Sequence, residues 1–142
     1  MSVTISGSGQ IVKQLIQATY SGAQVNTTST TYVATGLTAT ITPTNSANKI
    51  LVIATGSFAN GGSGNACFIT IGRNGATVGD INAIYAGSTQ VWSPSTINYL
   101  DSPATTSATT YAMYFKSSSG NSSFNWTTGF IANITLMEIA YA

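Results

Sequence analysis

The stretch TINYLDSPATTSATTYAMYFK, from Thr96 to Lys116, decides the fold. It contains two runs in which apolar residues recur at every second position, which is the period of a strand with one buried face. The two runs are separated by a polar segment. The apolar positions are Ile97 and Tyr99 in the first run and Tyr111, Met113 and Phe115 in the second.

The polar segment between these runs has the residues of a turn. Asp101 and Ser102 can hydrogen-bond to nearby backbone, and Pro103 fixes its own φ angle. We therefore assign Asp101 to a turn and expect a hairpin or a sheet corner here, not a catalytic loop.

Similar runs occur along the rest of the chain. Leu37, Ala39 and Ile41 alternate with threonines and predict a strand. The strand should end at Pro43, because proline lacks the N–H that a strand needs. The following run, KILVIATGSF at residues 49–58, is apolar on both faces, which predicts a strand buried inside a sandwich or between the sandwich and a neighbouring subunit. ACFITIGR at residues 66–73 and the final run, FIANITLMEIAYA, predict further strands.

These patterns predict an all-β protein. About eight to ten short strands separated by turns, with no convincing helix, indicate an antiparallel β-sandwich of the jelly-roll type. Residues 1–10, rich in Gly and Ser, are predicted to be a flexible or docking arm. Residues 11–142 are predicted to form a single sandwich domain.

The composition restricts the partners. Charged residues make up 5% of the 142 residues, and the net charge is +1, so there is no basic surface for nucleic acid. No run approaches the roughly 20 apolar residues of a membrane span, and no secretory signal is present. We expect synthesis in a cytoplasm and no membrane insertion. A near-neutral surface offers little protection against self-association, which favours an oligomer.

Residues suited to catalysis are scarce. The chain has no histidine, which removes the usual general base and the commonest metal ligand. Two of the three acidic residues, Asp80, Asp101 and Glu138, could form the carboxylate pair of a glycosidase, but structural roles are favoured for all three. Cys67 is the single cysteine and is predicted to be a small buried apolar residue. We expect no enzyme activity, no cofactor and no metal site.

The aromatic residues leave two alternatives open. Tyr and Trp side chains can fill a core or a subunit contact, because they combine a large apolar ring with a polar group. Alternatively, their rings can stack on sugars. The first alternative is favoured for most of them. The candidate glycan contacts are Trp92 and Trp126.

Three segments resemble a known family. They are IVKQLIQATYSGAQVNTTSTTYVATGLTATITPTNSANKILV, YLDSPATTSATTYAMYFKSSSG and ITLMEIAYA, in this order along the chain. Together they resemble a β-rich module of tail-fibre and other virion structural proteins from tailed bacteriophages, particularly marine and cyanobacterial phages. The resemblance covers about two thirds of the chain and is weakest from Phe58 to Ser95. In that family the module commonly ends longer fibre proteins.

The resemblance implies a structural role at the virion surface. Because Met1 lies only about ten residues before the first segment, we expect a capsid decoration (cement) protein, a head-fibre component or a small tail appendage as well as a tail-fibre component. Expected partners are other copies of the chain in a homotrimer and other virion proteins; the alternative is binding of a host-surface glycan. Candidate interface residues are Ile50, Val52, Thr110, Tyr114 and Lys116.

Overall fold

A computed structural model describes residues 11–62, 64–79, 81–126 and 129–140. These residues form eleven β-strands in two antiparallel sheets that pack against each other, which confirms the predicted β-sandwich. None of them belongs to a helix, and the described residues therefore include no helix that could cross a membrane. The strands are β1 (Val12–Tyr20), β2 (Val25–Thr27), β3 (Val33–Ile41), β4 (Lys49–Asn60), β5 (Ala66–Arg73), β6 (Ala76–Thr77), β7 (Asn82–Tyr85), β8 (Val91–Asp101), β9 (Thr109–Ser117), β10 (Ser122–Phe124) and β11 (Ala132–Ile139).

The strand order is that of a jelly roll. In the six-stranded sheet β4 has β8 on one side. On the other side β4 pairs first with β11, which in turn pairs with β1, and then with the short β10, which in turn pairs with β2. In the five-stranded sheet the order is β3-β9-β5, with β6 and β7 both beside β5. If β2 and β10 are set aside and β6 and β7 share one position, the eight positions run 1-8-3-6 and 2-7-4-5. That order defines a jelly roll.

The stretch from Thr96 to Lys116 is a corner between the sheets. Its first run belongs to β8, which pairs with β4, and its second run is β9, which pairs with β3 and β5. The chain therefore crosses from one sheet to the other at the polar segment instead of folding back as a hairpin. Tyr111, Met113 and Phe115 are all 0% exposed and face the core, as their spacing predicts.

Along its first half, strand β4 is fully buried on one of its two faces and partly exposed on the other. Ile50, Val52 and Ala54 are 0% exposed and point into the core, whereas Leu51 and Ile53 on the opposite face are partly exposed. The prediction that Ile50 and Val52 belong to a subunit interface is therefore wrong, because the second sheet of the same chain already covers them. The side of this strand that a partner can reach carries Leu51 and Ile53.

Aromatic rings fill the core beside the second half of β4. Phe58 lies 5.9 Å from Phe115 and 5.2 Å from Phe124 between ring centroids, and Tyr20 lies 5.3 Å from Phe124. Gly56 permits this packing, because a Cβ atom there would lie 2.6 Å from the Phe124 ring. A side chain at position 56 would overpack this part of the core.

Strand β8 lies at an edge of its sheet. Among the described residues it pairs only with β4, and Pro94 lies within it. Part of its uncovered backbone is satisfied from the other sheet, since Asn82 Nδ2 donates to the Thr96 carbonyl at 3.0 Å and to Ser95 Oγ at 3.1 Å. The edge is thus partly protected by Pro94 and Asn82.

Candidate functional site

Glu138 is a buried carboxylate at the end of the sandwich where β4 begins. The alternation of β11 places it on the core face, and it is 0% exposed. Its Oε1 accepts hydrogen bonds from Thr44 N (2.7 Å), Thr44 Oγ1 (2.8 Å) and Asn48 Nδ2 (2.6 Å), and its Oε2 accepts one from Gln14 Nε2 (2.6 Å). Burial alone would raise the pKa of Glu138, but the bonds from Asn48, Gln14 and Thr44 outweigh it and lower the pKa to about 2.

Asp101 is the last residue of β8, so the turn begins after it. Its side chain is not a turn element: it is 5% exposed, and its Oδ2 accepts bonds from Arg73 Nη1 at 2.7 Å and from the Tyr111 hydroxyl at 2.6 Å. Burial and the hydrogen bond to Asp101 both raise the pKa of Tyr111, and the bond to Asp101 raises the pKa of Arg73. Because Arg73 and Tyr111 belong to the other sheet, this cluster fastens the two sheets together.

The two described carboxylates are thus held in the core by neighbouring side chains. Glu138 and Asp101 pair with the same residue of β4, Ile50, from opposite sides. Asp80 lies outside the described residues. Within the described part of the chain, no three His, Cys, Asp or Glu side chains come together as a metal site.

Cys67 is a buried thiol, as predicted. It is 0% exposed, and burial raises its pKa to about 11. A thiol with this pKa carries little thiolate at neutral pH and is a poor nucleophile. The side chain therefore acts as a small core residue.

An apolar row crosses the outer face of the six-stranded sheet. Leu15 pairs with Met137, Met137 with Leu51, and Leu51 with Leu100, so β1, β11, β4 and β8 each contribute one side chain. Leu15 is 57% and Leu100 52% exposed. Four strands at their usual spacing give the row a length of roughly 14 Å. We call these four residues the apolar row.

The remaining predicted interface residues lie on the opposite side of the molecule. Thr110, Tyr114 and Lys116 alternate along β9 on the outer face of the five-stranded sheet, and each is partly exposed. Lys116 Nζ lies 4.8 Å from the centroid of the Tyr32 ring and 5.4 Å from that of Phe68. The structure thus brings these three residues onto one face, where the Lys116 ammonium group lies against aromatic rings. This face is separate from Ile50 and Val52, which lie in the core.

The structure also brings the two tryptophans together. Trp92 stands on β8 opposite Ala59, and Trp126 follows β10. Their ring centroids are 5.9 Å apart with 25° between the ring planes, which is an offset stack. Trp92 is 57% and Trp126 39% exposed, so the pair forms an aromatic surface at the end of the sandwich where β4 finishes.

A cleft of about 290 Å³ lies beside this pair. Its walls are residues 21–24, which connect β1 to β2, and residues 125–126 and 129–131, which lead from β10 to β11. Asn125 joins the two walls, because its Nδ2 donates to the Gly22 carbonyl at 2.7 Å. Trp126 lines the cleft and also stacks on Trp92.

No protein-family model matches this chain, and no curated protein sequence matches it. The resemblance to the phage module therefore remains a prediction. Three features described above were not found from the sequence: the hydrogen bonds of Glu138, the apolar row and the cleft. The sequence signal for the row was the second apolar face of KILVIATGSF, whereas the other two depend on loops that only the folded chain brings together.

Proposed function

We propose that this chain is a non-enzymatic structural protein of a bacteriophage virion. In this proposal it assembles as a homotrimer at the particle surface, as capsid decoration or as a tail-fibre or appendage component. It is made in the host cytoplasm, and its partners are its own copies and other virion proteins. The observation that carries the proposal is the apolar row on the outer face of the six-stranded sheet.

The apolar row favours association for a simple physical reason. Leu15 and Leu100 leave more than half of their surface in water, and Met137 and Leu51 fill the space between them. Burying apolar surface is favourable by about 25 cal/mol per Å², and a chain with only 5% charged residues has little electrostatic repulsion to oppose contact. A partner that covers the row would complete the burial of β4 on its second face.

The polar groups of the core favour a structural role over catalysis. The Glu138 and Asp101 carboxylates are 0% and 5% exposed, and both accept hydrogen bonds from neighbouring side chains. Groups held in this way stabilise a rigid sandwich and are not available to a substrate. The resemblance of the sequence to phage virion proteins supports the location at the particle surface.

Self-association is tested by light scattering on the purified protein. We expect a mass three times that of the 14.6 kDa protomer. Leu100→Lys places a charge in the apolar row and is expected to lower the mass to that of one protomer. Ala34→Lys is the comparison variant, because it adds the same charge on the outer face of the other sheet, beside the candidate interface residue Tyr114. If the apolar row carries the association, this variant should leave the mass unchanged, whereas a loss of mass here would assign the interface to the face of Tyr114.

The outcomes separate the parts of the proposal. A monodisperse monomer at micromolar concentration would contradict self-association, and a dimer would contradict the trimer. The virion role is tested by cryo-electron microscopy of the phage particle, in which the sandwich should be found in groups of three at the surface. A particle map without this sandwich would contradict the role.

A further inference from the structure

We infer that the cleft beside Trp126 binds a neutral carbohydrate, with a pyranose ring lying against the indole. This inference needs neither the trimer nor the virion role, because every group that it uses belongs to one chain and lies away from the apolar row.

The aromatic platform is positioned by the fold. Trp92 is held by β8, where it pairs with Ala59, and its stack with Trp126 at 5.9 Å fixes the second ring at the mouth of the cleft. An exposed indole offers a flat apolar surface against which the C–H face of a sugar ring packs. Trp126 is therefore the contact residue, and Trp92 is a positioning residue behind it.

Asn125 fixes the shape of the cleft. Its φ of 55° lies in the left-handed region, which asparagine tolerates better than most residues. Its backbone N–H donates to the Ser57 carbonyl at 2.8 Å, and its Nδ2 donates to the Gly22 carbonyl at 2.7 Å. The second bond identifies the other end of the amide as the oxygen.

That oxygen is an acceptor without a protein partner. Asn125 is only 6% exposed and lines the cleft, and its Oδ1 accepts no hydrogen bond from the described residues. A buried acceptor without a hydrogen-bond donor is energetically unfavourable. A hydroxyl group of a ligand seated in the cleft would supply the missing donor after a small shift of the wall.

The remaining polar groups indicate the ligand class. Gln24 uses Nε2 to donate to Asn26 Oδ1 at 3.0 Å, which leaves its carbonyl oxygen as an exposed acceptor, and Ser21 adds a hydroxyl. Amides and hydroxyls suit the donor and acceptor pattern of sugar hydroxyls. None of the described lining residues is charged, so the cleft has no cation to pair with a sialic acid, a uronic acid or a phosphate.

The two tryptophans make the site directly observable. They are the only tryptophans in the chain, so intrinsic fluorescence reports on this place alone. We would titrate the full chain with cellotetraose and chitotetraose as neutral probes, with 3′-sialyllactose as an acidic probe and with a proline-rich peptide as a rival ligand for an aromatic cleft. A saturable change in emission is expected with a neutral saccharide and not with the acidic one.

Variants then assign the site, with affinities measured by calorimetry. Trp126→Ala should weaken binding at least roughly tenfold, which corresponds to 1.4 kcal/mol, and Trp92→Ala should weaken it less. The matched control is Tyr85→Ala, since Tyr85 is an exposed ring (66%) that does not line the cleft. Circular dichroism and thermal unfolding verify that each variant is folded.

Several results would overturn the inference. They are an array of neutral oligosaccharides with no signal, binding that is unchanged in Trp126→Ala, or a fluorescence change with the peptide alone. If Trp126→Ala fails to fold, Trp126→Phe serves instead. A second variant, Asn125→Gly, removes the hydrogen bond to Gly22. Unchanged affinity of this variant in the array and in calorimetry would also count against the site. Because the proposed trimer is measured by mass, failure here leaves that proposal standing.

Discussion

The two ends of the sandwich are held together by different chemistry. At the end where β4 begins, the buried acceptor is the Glu138 carboxylate, whose Oε1 accepts three hydrogen bonds. At the other end, roughly 30 Å away along β4, the buried acceptor is the Asn65 amide. Its Oδ1 also accepts three hydrogen bonds, from Ser117 Oγ, Ser118 Oγ and Ser119 N, at 2.9–3.0 Å.

Each end of the sandwich thus holds one buried acceptor that takes three hydrogen bonds on a single oxygen, and the acceptor is charged at one end and uncharged at the other. Both acceptors gather the backbone and side chains of loops that meet only in the folded protein. The carboxylate forms stronger hydrogen bonds than the amide, but it must be desolvated and it responds to pH. The amide is insensitive to pH, and its Nδ2 also donates to the Asn121 carbonyl at 3.1 Å.

The largest expected effect is acid destabilisation through Glu138. Its pKa is about 2 in the folded protein against an ordinary value of 4.5, so its stabilising contribution is fully present above pH 4.5 and is lost as the pH falls through 2. We expect the free energy of unfolding to fall by about 3 kcal/mol from this group. Denaturant unfolding at a series of pH values measures the loss.

Glu138→Gln is the control for that measurement. The variant should be less stable than the wild type at pH 7, because an amide NH₂ replaces one of the two acceptor oxygens and meets a donor. Between pH 5 and pH 2 its stability should change less than that of the wild type. Equal pH dependence in the two proteins would show that Glu138 does not cause the acid sensitivity.

A smaller effect is expected at the uncharged end. Asn65→Ala removes the acceptor for three donors, two of which belong to Ser117 and Ser118. We expect the free energy of unfolding to fall by about 2 kcal/mol. The loss should be the same at pH 5 and pH 2. A loss that varies with pH over this range would contradict the distinction between the two ends.

Asp101→Asn should have a smaller effect again, about 1 kcal/mol. The asparagine keeps an oxygen for the Tyr111 hydroxyl, and the lost ion pair is weakened by solvent because the Arg73 side chain is 31% exposed. Asp101→Ala should cost more, since it leaves the buried Tyr111 hydroxyl without its acceptor. Denaturant unfolding of the two variants side by side measures the difference, and equal losses would show that the Tyr111 bond contributes nothing.

The smallest expected effect is the reactivity of Cys67, near the uncharged end. Its burial and its raised pKa, about 11, should prevent reaction with a thiol reagent at pH 8 in the native protein. Addition of denaturant should make the thiol react at once. Rapid labelling without denaturant would show that this end opens far more readily than its hydrogen bonds suggest.

The sequence predicted the strands better than it predicted their polar contacts. The run ACFITIGR coincides with β5, and the alternation around Met113 placed the correct face of β9 in the core. Period-2 patterns are local, so they survive without knowledge of the partner strand. The corner between β8 and β9 was one of two alternatives, because a turn sequence does not reveal whether the chain stays in the same sheet.

The errors have a common physical cause. KILVIATGSF was correctly predicted to be a strand, yet Ile50 and Val52 were assigned to an interface, because a run that is apolar on both faces does not show which face the rest of the chain covers. Asp101 was assigned to a turn, because its acceptor role depends on Arg73 and Tyr111 from the other sheet. Contacts between residues distant in sequence carry no periodic signal.

The edge strand β8 has a consequence for how copies of this protein can meet. An exposed edge can recruit a strand from another molecule and extend the sheet without limit, which is the route to amyloid. Pro94 lacks a backbone N–H, and Asn82 occupies the Thr96 carbonyl. Strand-by-strand polymerisation is thereby disfavoured at this edge. Contacts between copies on this side of the molecule would then form through side chains, a mode of contact that is compatible with closed assemblies of fixed size.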